Sequence, residues 1–440
     1  MNPEPPSLLA GPHREGSSLR TDFSWVFVGN AVYAGGQWAI LMLLAKLTRP
    51  ELVGQYALGL AIVLPVIMFA SLQLRLVVAS DISQQIHFGH YLSLRLLTTI
   101  LALGIICAIA LLGYRWEMTE VILLVGVAQA IEAISDVFYA RLQLHDRMDR
   151  ISKSLIARSV LSALGLTAGV FFSGNLLWGI VGILLARTIV LLGYDIRDRT
   201  HGLASQSRRF SQNETLKPRW DPSVQRELLC FSFPLGIISV LVALNSSIPR
   251  YFVARALGER ALGIFSAIAF MFAAGSLVAV SLGQSVFTRL ARSYVAENLV
   301  EFRSLLGKLL TLGAALGACG VIVARLAGRE ILTILFRPEY AERADLLPWI
   351  MAAGGVGYMA QFLGFGMTAA RYYNSQIVLF ILTNLSVAAA SYLLITRQGL
   401  LGAIFAMLIS MVVQLAGSII ILAVGLRRHT RACLENVEAS

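Results

Sequence analysis

Charged residues are scarce in this sequence, and their scarcity excludes most soluble proteins. Asp, Glu, Lys and Arg make up 14% of the 440 residues, whereas a soluble chain carries roughly 25%. Hydrophobic residues make up 57%, and the mean hydropathy is +0.72. A soluble enzyme and a disordered chain are therefore poor fits. The composition predicts an all-α polytopic membrane protein.

Cysteine is also scarce, which argues against a secreted disulfide framework. The chain has four cysteines, of which Cys107, Cys230 and Cys319 lie in apolar runs and Cys433 near the end. No Cys/His spacing typical of a metal site occurs, and the phosphate-binding GxxxxGK[ST], the HExxH and the GxSxG motifs are missing as well. We therefore expect neither an enzyme nor a bound metal or cofactor.

Long apolar runs make up most of the sequence. A membrane-spanning helix needs about 20 mostly apolar residues. Twelve such runs occur: 23–46, 52–72, 91–113, 118–140, 155–173, 176–195, 229–249, 261–285, 305–325, 347–369, 376–396 and 400–425. The longest polar break, 196–228, separates six runs from six. These runs predict about 12 transmembrane helices.

The placement of the basic residues in loops and tails explains the net charge of +11, so nucleic-acid binding is not needed to explain it. Lys and Arg are about twice as frequent on the even-numbered loops and tails as on the odd-numbered loops, which predicts that both termini are cytoplasmic. The predicted organisation is a cytoplasmic tail at 1–22, an N-lobe at 23–195, a cytoplasmic linker at 196–228, a C-lobe at 229–425 and a cytoplasmic tail at 426–440.

An internal repeat relates the two halves. LAKLTRPELVGQY at 44–56 aligns without gaps with VARALGERALGIF at 253–265, an offset of 209 residues, and both segments join the first two helices of their half. Because the copies are six helices apart, they have the same orientation in the membrane. We expect two six-helix lobes related by a parallel pseudo-repeat, an arrangement typical of transporters.

Ionisable residues inside predicted helices are the first candidates for function, since such groups are costly in hydrocarbon. Arg187 lies about 12 Å from the end of its helix, at 1.5 Å per residue. On another helix of the same lobe, polar residues share one face: Gln129, Glu132, Asp136 and Tyr139. We predict that Glu132 and Arg187 pair, either as a structural bridge or as part of a substrate path.

Weaker candidates extend this set. The first helix has a polar stripe, and Asn245 stands before Pro249, where we expect the seventh helix to kink or end. The stripe residues are Asn30, Tyr33 and Gln37. Arg95 and Arg158, near helix starts, are expected to snorkel to the headgroups. The GxxxG pairs Gly165/Gly169 and Gly313/Gly317 are expected to serve helix packing.

Four basic residues of the repeated loops are candidates for an outward gate, with interfacial snorkelling as the alternative. They are Lys46 and Arg49 in one lobe and Arg255 and Arg260 in the other. If the lobes rock during transport, these loops meet on the outward side.

Five segments of the sequence look familiar: FPLGIISVLVALNSSIPRYFVARALGERALGIFSAIAF at 233–270, QSVFTRLARSY at 284–294, FRPEYA at 336–341, LTRPELVGQYALGLA at 47–61 and ISDVFYARLQLHDRM at 134–148. Together they resemble the polysaccharide flippases of the multidrug, oligosaccharidyl-lipid and polysaccharide exporter superfamily. The resemblance implies two lobes around a central cavity that opens alternately to either side. It also implies export of an undecaprenyl-diphosphate-linked repeat unit across the bacterial inner membrane.

The same resemblance implies the partners: the lipid-linked oligosaccharide, membrane lipids and other polysaccharide-assembly proteins. Coupling to a proton or a sodium gradient stays open. Two alternatives also stay open, namely a drug/cation antiporter of the superfamily that uses Glu132 and Asp136, and a membrane glycan polymerase or ligase. The short odd-numbered loops disfavour the polymerase, because such enzymes usually place catalytic residues on a long outward loop.

Overall fold

A computed structural model describes residues 19–80, 86–144, 147–196 and 217–438 of the chain. Within these ranges the backbone is almost entirely helical and contains no strand. The first half consists of α1 (Leu19–Leu47), α2 (Pro50–Ser71), α3 (Leu74–Ser80), α4 (Phe88–Gly113), α5 (Trp116–Leu144), α6 (Met148–Ser173) and α7 (Leu176–Val190). α7 continues as a π-helical turn, Leu191–Asp195.

The second half begins with a helix that is too long for one crossing. It consists of α8 (Pro222–Val295), α9 (Leu299–Leu335), α10 (Pro338–Ala341), a short 3₁₀ turn (Ala344–Leu346), α11 (Leu347–Ala369), α12 (Tyr373–Gln398) and α13 (Leu400–Glu438). The 74 residues of α8 would extend about 110 Å if straight. Its backbone leaves helical geometry at Gly258 (φ 83°, ψ 178°), a conformation that glycine adopts readily.

Gly258 therefore divides α8 into a first arm and a second arm. The sequence predicted that the seventh helix kinks or ends at Pro249. The helix does not end there, because the first arm continues to Gly258. Arg250 and Arg255, which the sequence placed on a loop, lie within this arm. The predicted linker at 196–228 overlaps the start of α8 at Pro222, and the predicted tails overlap α1 and α13.

The number of crossings agrees with the twelve predicted runs. Ten helical segments among the described residues are long and apolar enough to span a membrane, and one of them, Pro222–Phe287, contains both arms of α8. The shorter apolar part of α1, Ala31–Leu47, supplies the remaining crossing. The protein is thus an all-α, multi-pass membrane protein.

Within each half, the same pairs of equivalent helices pack against each other. In the N-lobe, α1 packs on α6, α2 on α5, α4 on α5, α5 on α7, and α6 on α7. The corresponding pairs in the C-lobe are the first arm of α8 with α12, the second arm with α11, α9 with α11, α11 with α13, and α12 with α13. The repeat that was visible over thirteen residues therefore extends through both lobes.

The GxxxG pairs pack helices, as predicted. A Cβ atom added to Gly165 would lie 2.4 Å from the carbonyl oxygen of Gly182 on α7, and one added to Gly317 would lie 2.3 Å from the Cα atom of Gly355 on α11. Distances this short leave no room for a side chain, so the helix backbones are in direct contact.

The turns that join the two helices of each successive pair of crossings lie at one face of the membrane, which we call the hairpin side. They are residues 48–49, 114–115, 174–175, 258, 336–346 and 399. The opposite face, which we call the linker side, carries the start of α8. The basic-residue bias predicts that the linker side is cytoplasmic.

Reporter fusions test this orientation. We expect fusions at residue 210 and at the C-terminus to report cytoplasm, and fusions near residues 115 and 335 to report the outside. A cytoplasmic signal at 335 together with one at 210 would contradict the twelve-crossing arrangement, since these positions are separated by an odd number of crossings.

Candidate functional site

The polar face of α5 lies at the centre of a buried network of charges in the N-lobe. Glu132 forms an ion pair with Arg187 of α7, with 2.8 Å between Oε2 and Nη1. Arg187 is 2% exposed and also donates a hydrogen bond to the carbonyl oxygen of Ala128. Tyr33 of α1 donates to the same carboxylate. The predicted pairing of Glu132 with Arg187 is confirmed.

A second arginine from α6 joins the network from the other side. Arg158 lies 3.9 Å from Glu132 and 3.2 Å from Asp195, and its Nη2 donates to the hydroxyl oxygen of Tyr139 at 2.5 Å. Ser154 donates to Asp195 at 2.6 Å. Asp195 ends the π-helical turn that extends α7, and such turns often occur at functional sites.

A third group of charges continues the network toward the linker side. Asp136, one helical turn after Glu132, forms an ion pair with Arg75 of α3 at 3.2 Å and lies 3.7 Å from Arg95 of α4. The guanidinium of Arg75 also lies over the ring of Tyr139, 5.8 Å from its centroid.

We refer to these seven ionisable residues as the charge cluster: Arg75, Arg95, Glu132, Asp136, Arg158, Arg187 and Asp195. Four arginines face three carboxylates, so the cluster carries a formal charge of +1. Arg95 and Arg158 are 1% and 2% exposed. The prediction that they snorkel to the headgroups is therefore wrong, because neighbouring carboxylates and the Tyr139 ring hold them inside the lobe.

The structure describes two further polar candidates of the N-lobe. Gln37 on α1 and Gln129 on α5 are half-buried. The side chain of Asn30 lies outside the part of the protein that the structure describes.

The C-lobe has a neutral polar interior instead. Asn245 donates to Ser410, Gln361 donates to Ser276, and Asn384 donates to the carbonyl oxygen of Leu241, all within 2.9 Å. Among its described residues the ion pairs are exposed ones, such as Arg289 with Glu301. Arg250 is the charged residue of the C-lobe that was not predicted to lie inside a helix, and it lies about 12 Å along the helix from Gly258. It was missed because Pro249 beside it predicted a helix end.

The two lobes meet on the hairpin side through a contact that obeys the repeat. A Cβ atom on Gly54 would lie 1.9 Å from the carbonyl oxygen of Glu259, and one on Gly263 would lie 1.9 Å from that of Pro50. Gly54 corresponds to Gly263, and Pro50 to Glu259, at the offset of 209 found in the sequence. The lobes are thus related across this point by a pseudo-two-fold axis.

Polar bridges surround the glycine contact. Gln55 donates to Glu259 at 2.8 Å, Arg260 lies 3.7 Å from Glu51, and Lys46 donates to the carbonyl oxygen of Ile334 at 2.9 Å. Two of the four outward-gate candidates therefore link the lobes. The other two, Arg49 and Arg255, are exposed at the same face.

Comparison with known proteins agrees with this architecture. No family model matches the chain. The chain is 28% identical over 400 residues to the capsular polysaccharide biosynthesis protein CapF of Staphylococcus aureus, covering 90% of this chain and 96% of the relative. In fold it is similar to an inward-facing multidrug resistance MATE family transporter of the multidrug, oligosaccharidyl-lipid and polysaccharide exporter superfamily, with a TM-score of 0.63, 14% identity and coverage of 94% and 96%.

A MATE transporter of Vibrio cholerae has the same fold, with a TM-score of 0.61, 11% identity and coverage of 94% of this chain and 96% of the other. The chain thus has the fold of transporters of the multidrug, oligosaccharidyl-lipid and polysaccharide exporter superfamily. The sequence relative confirms the resemblance to its polysaccharide branch. The protein is accordingly a multi-pass membrane protein with two equivalent lobes, of which the N-lobe holds the charge cluster.

Cation binding is the other chemistry that a set of buried carboxylates suggests. Among the described residues no three His, Cys, Asp or Glu side chains lie close enough to hold a metal ion. Each carboxylate of the charge cluster instead has an arginine as its neighbour.

Proposed function

We propose that this protein is an exporter that moves an undecaprenyl-diphosphate-linked oligosaccharide repeat unit across the bacterial inner membrane by alternating access, for surface polysaccharide biosynthesis. The observation that carries the proposal is the excess of arginine over carboxylate in the charge cluster. The similarity to a protein named for capsular polysaccharide biosynthesis supports it independently.

The excess of arginine favours an anionic substrate. A diphosphate presents several acceptor oxygens, and the planar guanidinium of arginine binds such groups through two parallel hydrogen bonds. An exporter of cationic drugs would need a carboxylate that is free to bind a cation. Here Glu132, Asp136 and Asp195 lie 2.8, 3.2 and 3.2 Å from an arginine nitrogen.

The substrate path in this proposal runs between the lobes and along the N-lobe. Its polar walls are the side chains that the sequence singled out, with Asn245 on the C-lobe. These side chains are Arg187, Glu132, Asp136, Gln129, Tyr139, Asn30, Tyr33 and Gln37. The contact around Gly54 and Gly263 is the outward gate, with Lys46 and Arg260 as its bridges and Arg49 and Arg255 as charges that face the departing diphosphate.

Vesicle reconstitution tests the proposal directly. Purified exporter is incorporated into vesicles that contain undecaprenyl-diphosphate-linked oligosaccharide in both leaflets, and a sugar-cleaving enzyme is added outside. We expect nearly all of the substrate to become accessible to the enzyme, whereas protein-free vesicles expose only the outer-leaflet share.

The same vesicles distinguish the alternatives. Export of a cationic dye without movement of the lipid-linked sugar would contradict the proposal and favour a drug/cation antiporter. Applying a proton or a sodium gradient in separate runs identifies the coupling ion. Formation of longer glycan chains in the vesicles would contradict the proposal and favour a polymerase.

A further inference from the structure

Asp136 is shared by two arginines that lie in very different surroundings. Its Oδ1 atom lies 3.2 Å from Nη1 of Arg75 and accepts a hydrogen bond from it. Its Oδ2 atom lies 3.7 Å from Nη2 of Arg95, which is beyond hydrogen-bond distance. The carboxylate therefore satisfies one arginine and leaves the other incompletely paired.

Accessibility divides these three residues. The side chains of Arg75 and Asp136 are 34% and 35% exposed, whereas that of Arg95 is 1% exposed. All three guanidinium nitrogens of Arg95 are buried without a hydrogen-bond partner in the described part of the protein. Burying donors of a charged group without acceptors is costly. Any rearrangement that supplies an acceptor to Arg95 is therefore favoured.

The geometry points to an anion-binding site in which Asp136 changes partner. We propose that a diphosphate group binds Arg75, and that Asp136, displaced from Arg75, closes on Arg95 and accepts its unpaired donors. This inference rests on the proposed function and assigns the site at which the diphosphate of the substrate is first held. Arg75, Arg95 and Asp136 together carry a formal charge of +1.

Other contacts keep Arg75 in position when Asp136 leaves. The Nε atom of Arg75 donates to Gln143 at 3.3 Å, and its guanidinium rests over the Tyr139 ring. Nη1 and Nη2 then remain available to an entering phosphate. The loss of one ion pair is offset by the pair that Asp136 forms with Arg95.

The position of α3 connects this site to a hydrogen bond between the lobes. α2 and α3 are joined by Leu72 and Gln73, both in left-handed conformation (φ 49° and 50°). Two residues before Arg75, Gln73 donates to Ser239 on the first arm of α8 at 2.8 Å. An anion held by Arg75 therefore lies beside a hydrogen bond between the lobes.

Pyrophosphate titration tests the site. The full-length exporter is placed in nanodiscs of phosphatidylcholine, and binding of sodium pyrophosphate is measured by calorimetry. We expect Arg75→Gln to weaken binding by about tenfold or more, because a charge-assisted hydrogen bond is lost. We expect Asp136→Asn to strengthen binding, because the competing carboxylate is removed.

The opposite signs separate this site from a structural ion pair, whose loss in either variant would weaken binding. Arg289→Gln is the matched control, since Arg289 is an exposed arginine on the linker side that pairs with Glu301. The pyrophosphate affinity of this variant should equal that of the unchanged protein. Arg75 is only partly buried, so its variant is expected to fold. Unchanged pyrophosphate affinity in a folded Arg75→Gln protein overturns the inference, whatever the fate of Asp136→Asn.

Two further measurements identify the ligand and distinguish a failure of this site from a failure of the proposed function. Arg75-dependent binding of phosphatidylglycerol without binding of pyrophosphate would assign the site to a lipid headgroup and overturn the diphosphate assignment. Transport of the lipid-linked sugar without Arg75-dependent pyrophosphate binding would overturn this site alone. Arg75-dependent pyrophosphate binding without transport would contradict the proposed function and leave the site standing.

Discussion

Glu132→Gln is expected to destabilise the protein more than Arg187→Gln, and the double variant is expected to lose less stability than the sum of the two single losses. Removing one partner of a buried ion pair costs about 3–5 kcal/mol, because the remaining charge is left uncompensated. Without Glu132, Arg187 retains, among the described residues, the carbonyl oxygen of Ala128 as its hydrogen-bond acceptor. Without Arg187, Glu132 still has Arg158 and the Tyr33 hydroxyl.

Thermal unfolding of the purified variants in one detergent measures these losses, and the double-mutant cycle isolates the coupling between the two side chains. The exposed pair Arg289 and Glu301 is the control, since surface ion pairs contribute about 0–1 kcal/mol. Strictly additive effects of Glu132→Gln and Arg187→Gln would mean that the two side chains do not interact directly.

A side chain at Gly54 or Gly263 is expected to force the lobes apart on the hairpin side. In each case the added Cβ atom would lie 1.9 Å from a backbone oxygen of the other lobe, where no side-chain rotation relieves the clash. Overpacking of this kind costs about 1–3 kcal/mol. The state in which these glycines touch should then lose about tenfold in population for each 1.4 kcal/mol, and transport should fall with it.

Cysteine labelling measures the separation. Val53 is completely buried at this contact, so Val53→Cys, in a background with the native cysteines replaced by serine, reacts with a maleimide only when the lobes part. We expect Gly54→Ala and Gly263→Ala to increase labelling to a similar extent, because the repeat makes the positions equivalent.

Glycines with free space around them serve as the matched control. A Cβ atom on Gly104 of α4 or Gly307 of α9 would meet nothing within 4 Å, so Gly104→Ala and Gly307→Ala should change neither labelling nor transport. Unaltered labelling and transport in a folded Gly54→Ala/Gly263→Ala protein would show that alternating access does not depend on this contact.

Some of the charge cluster was predictable from sequence. The spacing of Glu132, Asp136 and Tyr139 placed them on one face of α5, and the depth of Arg187 indicated a partner for Glu132. Arg75 was missed because α3 is only seven residues long and follows α2 without a polar break. The apolar run predicted at 52–72 ends before α3, so the sequence assigned Arg75 to the loop that follows.

The sequence alone determined the number of crossings, the division into six and six, and the offset of the repeat. These features depend on runs of apolar residues, because a membrane requires a minimum length of hydrocarbon-compatible helix. The tertiary structure decided where the charges go. Arg95 and Arg158 lie as near to helix starts as a snorkelling residue would, and only the packing of α4 against α5 and of α6 against α7 brings carboxylates to them. Which arginine is buried depends on partners from distant parts of the chain, and these are not encoded in its local sequence.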